Sequence, residues 1–227
     1  MISSRGFTKK SKVRKAAFGD FQTPMDLARQ IARFIKSSDV LVSSVVEPTC
    51  GIGNFLMASA ETFGRGVSYY GFDINAGYVE QAQRTLSNAS NTRIHIECQD
   101  FYDKNWRGFL YSLPDGALII GNPPWVTNAA LGAMGSSNLP QKSNFQGHSG
   151  LSAKTGKANF DISEWMLIKL LEGLSGRQAT LAMLCKIATA RRVLQYAWRN
   201  ELDVADSSVH LVDAARYFGA SVNACLL

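Results

Sequence analysis

The stretch that most restricts this chain starts with an apolar run at residues 42–46 and passes without a break into Glu47-Pro48-Thr49-Cys50-Gly51-Ile52-Gly53-Asn54-Phe55. The run reads as a buried strand, and the glycine-bearing segment reads as the turn into a helix continuing to about Phe63. Gly51 and Gly53 let the backbone approach a ligand closely. A second strand at 68–72 ends in Asp73, 20 residues beyond Gly53. A carboxylate at a strand's carboxyl end can accept from both hydroxyls of a ribose. A third strand at 93–97 leads to Asp100 and Phe101, an acceptor for an adenine amino group beside a ring that can stack on it.

The apolar run Leu118-Ile119-Ile120-Gly121 then delivers Asn122-Pro123-Pro124-Trp125. The prolines fix φ and donate no backbone hydrogen bond, so the turn is stiff and its carbonyls are free to accept. An amide oxygen, a rigid carbonyl and an aromatic face together suit a planar ring that carries an exocyclic amine. The lone pair of such an amine, N6 of adenine for example, is delocalised into the ring. Two acceptors on its hydrogens, the Asn122 side-chain oxygen and the Pro123 carbonyl, would draw the nitrogen towards tetrahedral geometry and stabilise its developing charge. A base in that position must be flipped from a duplex or come from a single strand, and Trp125 offers a stacking platform.

The remaining chain supplies a sheet. Helices at 161–174 and 188–200 alternate with strands at 179–184, 209–212 and 222–227. That alternation argues for one doubly wound α/β domain, and 227 residues with 46% apolar content can fill its core. A nicotinamide-binding protein would share the glycine turn and the acidic residue. Here Leu56 stands where the third glycine of that fingerprint belongs. Cys50, Cys98, Cys185 and Cys225 are too widely spaced for a CxxC pair, and His95, His148 and His210 lack metal-ligand spacing. No metal is expected, and Cys50 reads as a small buried side chain rather than a nucleophile. With no signal sequence and no 18-residue apolar span, a reduced cytoplasmic protein off the membrane is expected.

Charge is unevenly placed. Six of the 24 basic residues (Arg5, Lys9, Lys10, Lys12, Arg14, Lys15) lie in the first 17 residues with no acid among them, which leaves the rest balanced at 18 against 18. The arm reads as a disordered tail or as a phosphate-tracking segment. A neutral body is unexpected for a complete duplex reader, whose affinity comes largely from phosphate contacts. From Gly116 through Phe160 there is no acid, while Lys142, Lys154 and Lys157 are present. Residues 126–159 are rich in Gly, Ser and Asn without clear periodicity, which is expected of a mobile loop that orders over nucleic acid. Asn159 and Phe160 stand at its end as possible pocket lining, although capping and core packing account for them better.

Over residues 18–227 the chain resembles the γ-type amino-methyltransferases of DNA, S-adenosylmethionine-dependent enzymes that methylate adenine N6. The resemblance rests on Phe18-Gly19-Asp20-Phe21-Gln22-Thr23-Pro24, the glycine turn, Asp73, Asp100-Phe101, Asn122-Pro123-Pro124-Trp125 and Tyr217-Phe218-Gly219-Ala220-Ser221-Val222. It implies a mostly parallel, seven-stranded Rossmann-like sheet whose last two strands form a hairpin. It implies that Phe21, Thr23, Pro24, Glu47, Thr49 and Gly51 hold the methionine end of the cofactor, with Gly53 in the same turn. Asp73 would hold the ribose, and Ile74, Asp100 and Phe101 the cofactor adenine. Asn122, Pro123, Pro124 and Trp125 would form the catalytic turn, Asn122 bordering the cofactor as well, and Phe218 would close on the flipped base opposite Trp125.

Two departures qualify what the resemblance implies. The last motif position is more often Tyr or Phe than Trp, and relatives usually continue into a target-recognition domain, whereas this sequence stops at Leu227. Residues 1–17 are therefore expected to be an arm and 18–227 a catalytic domain without recognition domain, with specificity in a separate subunit or domain. The expected activity is methylation of adenine N6 in DNA, of restriction-modification type. RNA adenine N6, cytosine N4 and a protein glutamine amide present similar nitrogens and stay open. A cofactor-binding remnant that needs another chain stays open too.

Overall fold

The described residues of this computed structural model, 22–87, 93–127 and 161–227, start with a helix that the apolar runs do not announce, α1 (Met25–Ser37). Its inner stripe of Leu27, Ala28, Ile31, Ala32 and Ile35 is buried at helical spacing, and two of these five are alanines. Pro24 precedes it with φ at −59°, and its carbonyl accepts the Ala28 N–H at 3.0 Å. Asp26 in the first turn and Lys36 in the last both suit the helix dipole.

Thereafter strands and helices alternate: β1 (Ser44–Glu47), α2 (Asn54–Phe63), β2 (Ser68–Asp73), α3 (Ala76–Leu86), β3 (Arg93–Cys98), α4 (Trp106–Ser112), β4 (Ala117–Gly121), α5 (Ile162–Leu174), β5 (Ala179–Lys186), α6 (Ile187–Arg199), β6 (His210–Val212), α7 (Ala214–Phe218) and β7 (Ala224–Leu226). They form one seven-stranded sheet in the order β3-β2-β1-β4-β5-β7-β6. All pairings are parallel except those of β7 with β5 and β6, which are antiparallel. The doubly wound sheet with its antiparallel end is thus the expected one.

Several strand ends differ from expectation by one or two residues, and two of the shifts have a visible cause. β1 begins at Ser44 rather than at 42, and Ser43, ahead of it, donates to the Gly116 carbonyl at 2.8 Å. The last strand spans 224–226 rather than 222–227, because Val222 is exposed and the Asn223 carbonyl is turned towards the Ile187 N–H at the start of α6, 3.0 Å away.

Neighbouring residues along each central strand serve opposite layers, as a pleated strand requires. Val45, Leu118 and Leu184 pack with α1 and α2 on one face, while Val46, Ile119 and Cys185 pack with α4, α5 and α6 on the other. β1 and β4 are buried at every position, the mark of parallel strands covered on both sides. The order reverses between them: β2 and β3 continue away from one flank of β1, β4 and β5 from the other. The crevice at the carboxyl ends of β1 and β4 is where such a sheet takes its ligand. No helix among the described residues is long and apolar enough to cross a membrane.

Candidate active site

β1 ends in Glu47, and the turn that follows is shaped by two glycines. Gly51 has φ +50° and Gly53, at the N-cap of α2, has φ +83°, so both occupy a region that disfavours side chains. A methyl group on Gly51 would lie 2.2 Å from the Gln22 side-chain oxygen. That oxygen accepts the Ile52 N–H at 3.1 Å, and the Asn54 amide donates to the Thr23 carbonyl at 2.7 Å. The segment before α1 is thus bound down onto the glycine turn. Thr23 is buried and Pro24 half-buried there, beside the residues expected to hold the methionine end.

Asp73 closes β2 directly behind this turn. One carboxylate oxygen accepts the Gly51 N–H at 2.7 Å and the other the Asn75 N–H at 2.8 Å. Two backbone donors fix the orientation of the carboxylate at the strand end. Ile74 beside it is 56% exposed, a large apolar side chain placed where a flat heterocycle could cover it. Asp100 accepts the Tyr102 N–H at 2.9 Å. Phe101 is buried, with its ring 4.7 Å from Trp106 and 5.9 Å from Trp165. It lines a groove of about 590 Å³ together with Tyr102, Trp106 and Trp165.

Across the crevice, Gly121 ends β4 so close to Glu47 that a methyl group on it would sit 3.7 Å from the Glu47 Cγ. The Asn122-Pro123-Pro124-Trp125 turn therefore starts beside the end of β1, from which the glycine turn departs. Asn122 is half-buried, with its side-chain oxygen out of solvent. Trp125 is buried in the core on the α1 and α2 face, and its indole N–H donates to the Leu184 carbonyl at 3.3 Å. Phe218, the last residue of α7, meets it edge to face with ring centroids 5.2 Å apart and planes at 72°. Sequence reasoning sets these two rings opposite each other, and they are in contact. A base held between two faces needs two contacts of about 3.5 Å each, so the rings must part before one can enter.

Three further groups belong to the site although no motif marks them. Gln22 lies inside the quoted segment but carries no signal beyond its neighbours. Lys186, the last residue of β5, donates to the Trp125 carbonyl at 2.9 Å and to Asp161 at 2.7 Å. The one available signal is a charge ending an apolar strand and an acid opening a helix, and both are common. Phe21, Lys142, Lys154 and Lys157 lie outside the described residues, as do the arm 1–17 and positions 128–160.

Burial holds the Glu47 carboxyl well above its ordinary range. The Leu56 N–H at 3.2 Å pulls the other way, and the negative charge of Asp73 adds to the rise. A carboxyl raised in the folded state favours the native chain at acid pH. That advantage is lost as pH climbs from the ordinary carboxylate range through the folded value. Glu47→Gln stays neutral, so its melting midpoint is expected to change less than that of the unaltered protein between about pH 4 and pH 8. Parallel melting curves would rule out the assignment. Burial also pushes the Cys50 thiol up, away from any thiolate role. Thr49 places its hydroxyl in the same turn, sealed from solvent and without a hydrogen-bond partner among the described residues. A buried orphan hydroxyl, a fixed carboxylate and a backbone without Cβ together fit a polar nucleoside-bearing ligand.

Comparison with known proteins follows the same lines. The family model described as N-6 DNA Methylase matches residues 6–183. The Type II methyltransferase M.NspV of Nostoc sp. is 41% identical over 212 residues, which are 93% of this chain and 44% of that protein. The chain thus spans less than half the length of this curated relative. Two solved structures share the fold at low identity. One is the type I restriction-modification methyltransferase subunit of Streptococcus thermophilus, with TM-score 0.62, 16% identity, and coverage of 91% of this chain and 44% of that one. The other is a Listeria monocytogenes protein assigned to the class I S-adenosylmethionine-dependent methyltransferases, with TM-score 0.60, 11% identity, and coverage of 99% and 69%. With the family model covering most of its length and the Asn122 turn beside the glycine turn at the sheet's reversal point, the chain belongs to the N-6 DNA methylase family.

Proposed function

We propose that this chain transfers a methyl group from S-adenosylmethionine to N6 of an adenine in DNA. The observation that carries the proposal is the meeting of the Asn122-Pro123-Pro124-Trp125 turn and the Glu47–Gly53 turn across the reversal point of the sheet. When bound, S-adenosylmethionine supplies a sulfonium-activated methyl carbon. Glu47, Thr49 and Gly51 would hold its methionine end together with Thr23, Pro24 and Phe21. Asp73 would receive the ribose hydroxyls, and Ile74, Asp100 and Phe101 the adenine. The Asn122 oxygen and the Pro123 carbonyl would accept the two hydrogens of the target amine, Pro124 would stiffen the turn, and Trp125 and Phe218 would cover the base. The proton released from the amine can pass to water, so no histidine is required. Rate enhancement would come from alignment and from charge stabilisation at two fixed acceptors.

The choice of DNA is supported by the family match and by the Nostoc relative, and a restriction-modification role by the names of that relative and of the Streptococcus subunit. The balanced charge outside residues 1–17 supports placing sequence choice in a separate subunit or domain, with Lys142, Lys154 and Lys157 as supporting phosphate contacts. The test is to incubate the protein with labelled cofactor and separate pools of duplex DNA, single-stranded DNA, RNA and cell protein, then identify the modified nucleoside or residue. N6-methyladenine in DNA is the expected product. Label confined to RNA, to cytosine N4 or to a glutamine would move the substrate class, and label in no pool would favour a chain that needs a partner.

A further inference from the structure

We infer that Lys186 is a positioning residue that sets the pose of the catalytic turn through the Trp125 backbone. The catalytic part of this inference rests on the methyl-transfer reading. Lys186 occupies the N-cap of α6, where the helix dipole disfavours a cation. Its ammonium is held there by the Trp125 carbonyl at 2.9 Å and by a carboxylate oxygen of Asp161 at 2.7 Å. Asp161 is 5% exposed, and its other oxygen accepts the Ser163 N–H at 3.0 Å and the Ser163 hydroxyl at 2.5 Å. A carboxylate this deeply covered requires a charged partner, and Lys186 is the one it has among the described residues.

The same ammonium ties together two segments far apart in sequence. Thr127 bridges Asp161 in antiparallel fashion, and the Ile162 N–H donates to the Val126 carbonyl at 2.8 Å. The exit of the turn and the start of α5 are therefore joined by backbone pairing and pinned to the end of β5 by one side chain. Two residues upstream of the pinned carbonyl stands Pro123, whose own carbonyl is the proposed acceptor. Pro123 itself and Pro124 between them leave little torsional freedom to absorb a shift at Trp125. A displacement at the pinned carbonyl is therefore passed to the acceptor.

The experiment compares Lys186→Met, which keeps length but loses the donor, with Lys186→Arg, which keeps a donor. Lys186→Met is expected to lower kcat on DNA by about 10- to 100-fold, the effect of a misplaced reacting group, with cofactor Kd unchanged. Lys186→Arg should recover most of the loss. Hydrogen exchange at the Ile162 amide, which needs no turnover, should quicken in Lys186→Met and not in Lys186→Arg. Unchanged kcat in Lys186→Met, or loss of cofactor affinity in proportion to kcat, overturns the inference. If the unaltered protein labels no DNA, the reading of this chain as a methyltransferase on its own fails instead. Exchange at Ile162 then still decides the clamp: faster exchange supports it, and protection equal to that of the unaltered protein removes it.

Discussion

Asn122→Ala is expected to cut the rate of methyl transfer by about 100- to 1,000-fold, the usual consequence of removing one positioned group that stabilises transition-state charge. The amine would keep the Pro123 carbonyl as acceptor but lose the second, and one acceptor cannot hold both hydrogens out of the ring plane. Stability should change little. Asn122 follows β4 and is half-buried, and the strand ahead of it is fixed by its pairing with β1 and β5. Cofactor affinity should stay within a few-fold, because Asp73, Thr49 and the glycine turn are untouched. Single-turnover rates with labelled cofactor, set beside equilibrium binding of the same cofactor, separate the two effects. A variant that loses cofactor binding as much as it loses rate would show that Asn122 serves the cofactor and not the amine.

Asp73→Ala should do the reverse. Its carboxylate is tied to the Gly51 and Asn75 N–H groups, so truncation would remove the proposed ribose acceptor and also free both backbone segments around it. Hydrogen bonds to a charged acceptor are among the stronger ones, and a loss of about 100-fold in cofactor affinity is expected. At saturating cofactor, turnover should fall much less. Asp73→Asn keeps one acceptor oxygen and should be intermediate. Calorimetric titration with cofactor measures the affinities directly, and an Asp73→Ala protein that binds like the unaltered one would remove Asp73 from the site.

The contrast between these two variants follows the parts of the molecule that its sequence displays well. β1, β2 and β4 are visible because apolar runs that end in Glu47, Asp73 and Asn122 combine buried strands with polar residues at their carboxyl ends. The doubly wound class follows from the resulting alternation, and the antiparallel end from the family resemblance, whereas the strand order itself is seen only in the structure. Less visible is α1, whose inner face relies on Ala28 and Ala32, small residues that make a weak apolar stripe. α7 is only five residues long, too short for periodicity to register, yet it carries Phe218. The burial of Phe101 under Trp106 and Trp165 and the seating of Trp125 against Leu184 depend on side chains from distant elements. No local pattern encodes such contacts. Lys186 is hidden for the same reason: its partners are 61 and 25 residues away.

The edge-to-face contact of Trp125 with Phe218 has a bearing on which guests this mouth admits. Prising the rings apart forfeits about 0.5–1.5 kcal/mol, and only a visitor with its own π surface can return that sum by lying against indole or phenyl. A purine meets the condition easily, whereas an aliphatic carboxamide brings the right nitrogen but no aromatic plane. The two rings would thus act as a toll on entry that filters by flatness, ahead of any test of the amine itself.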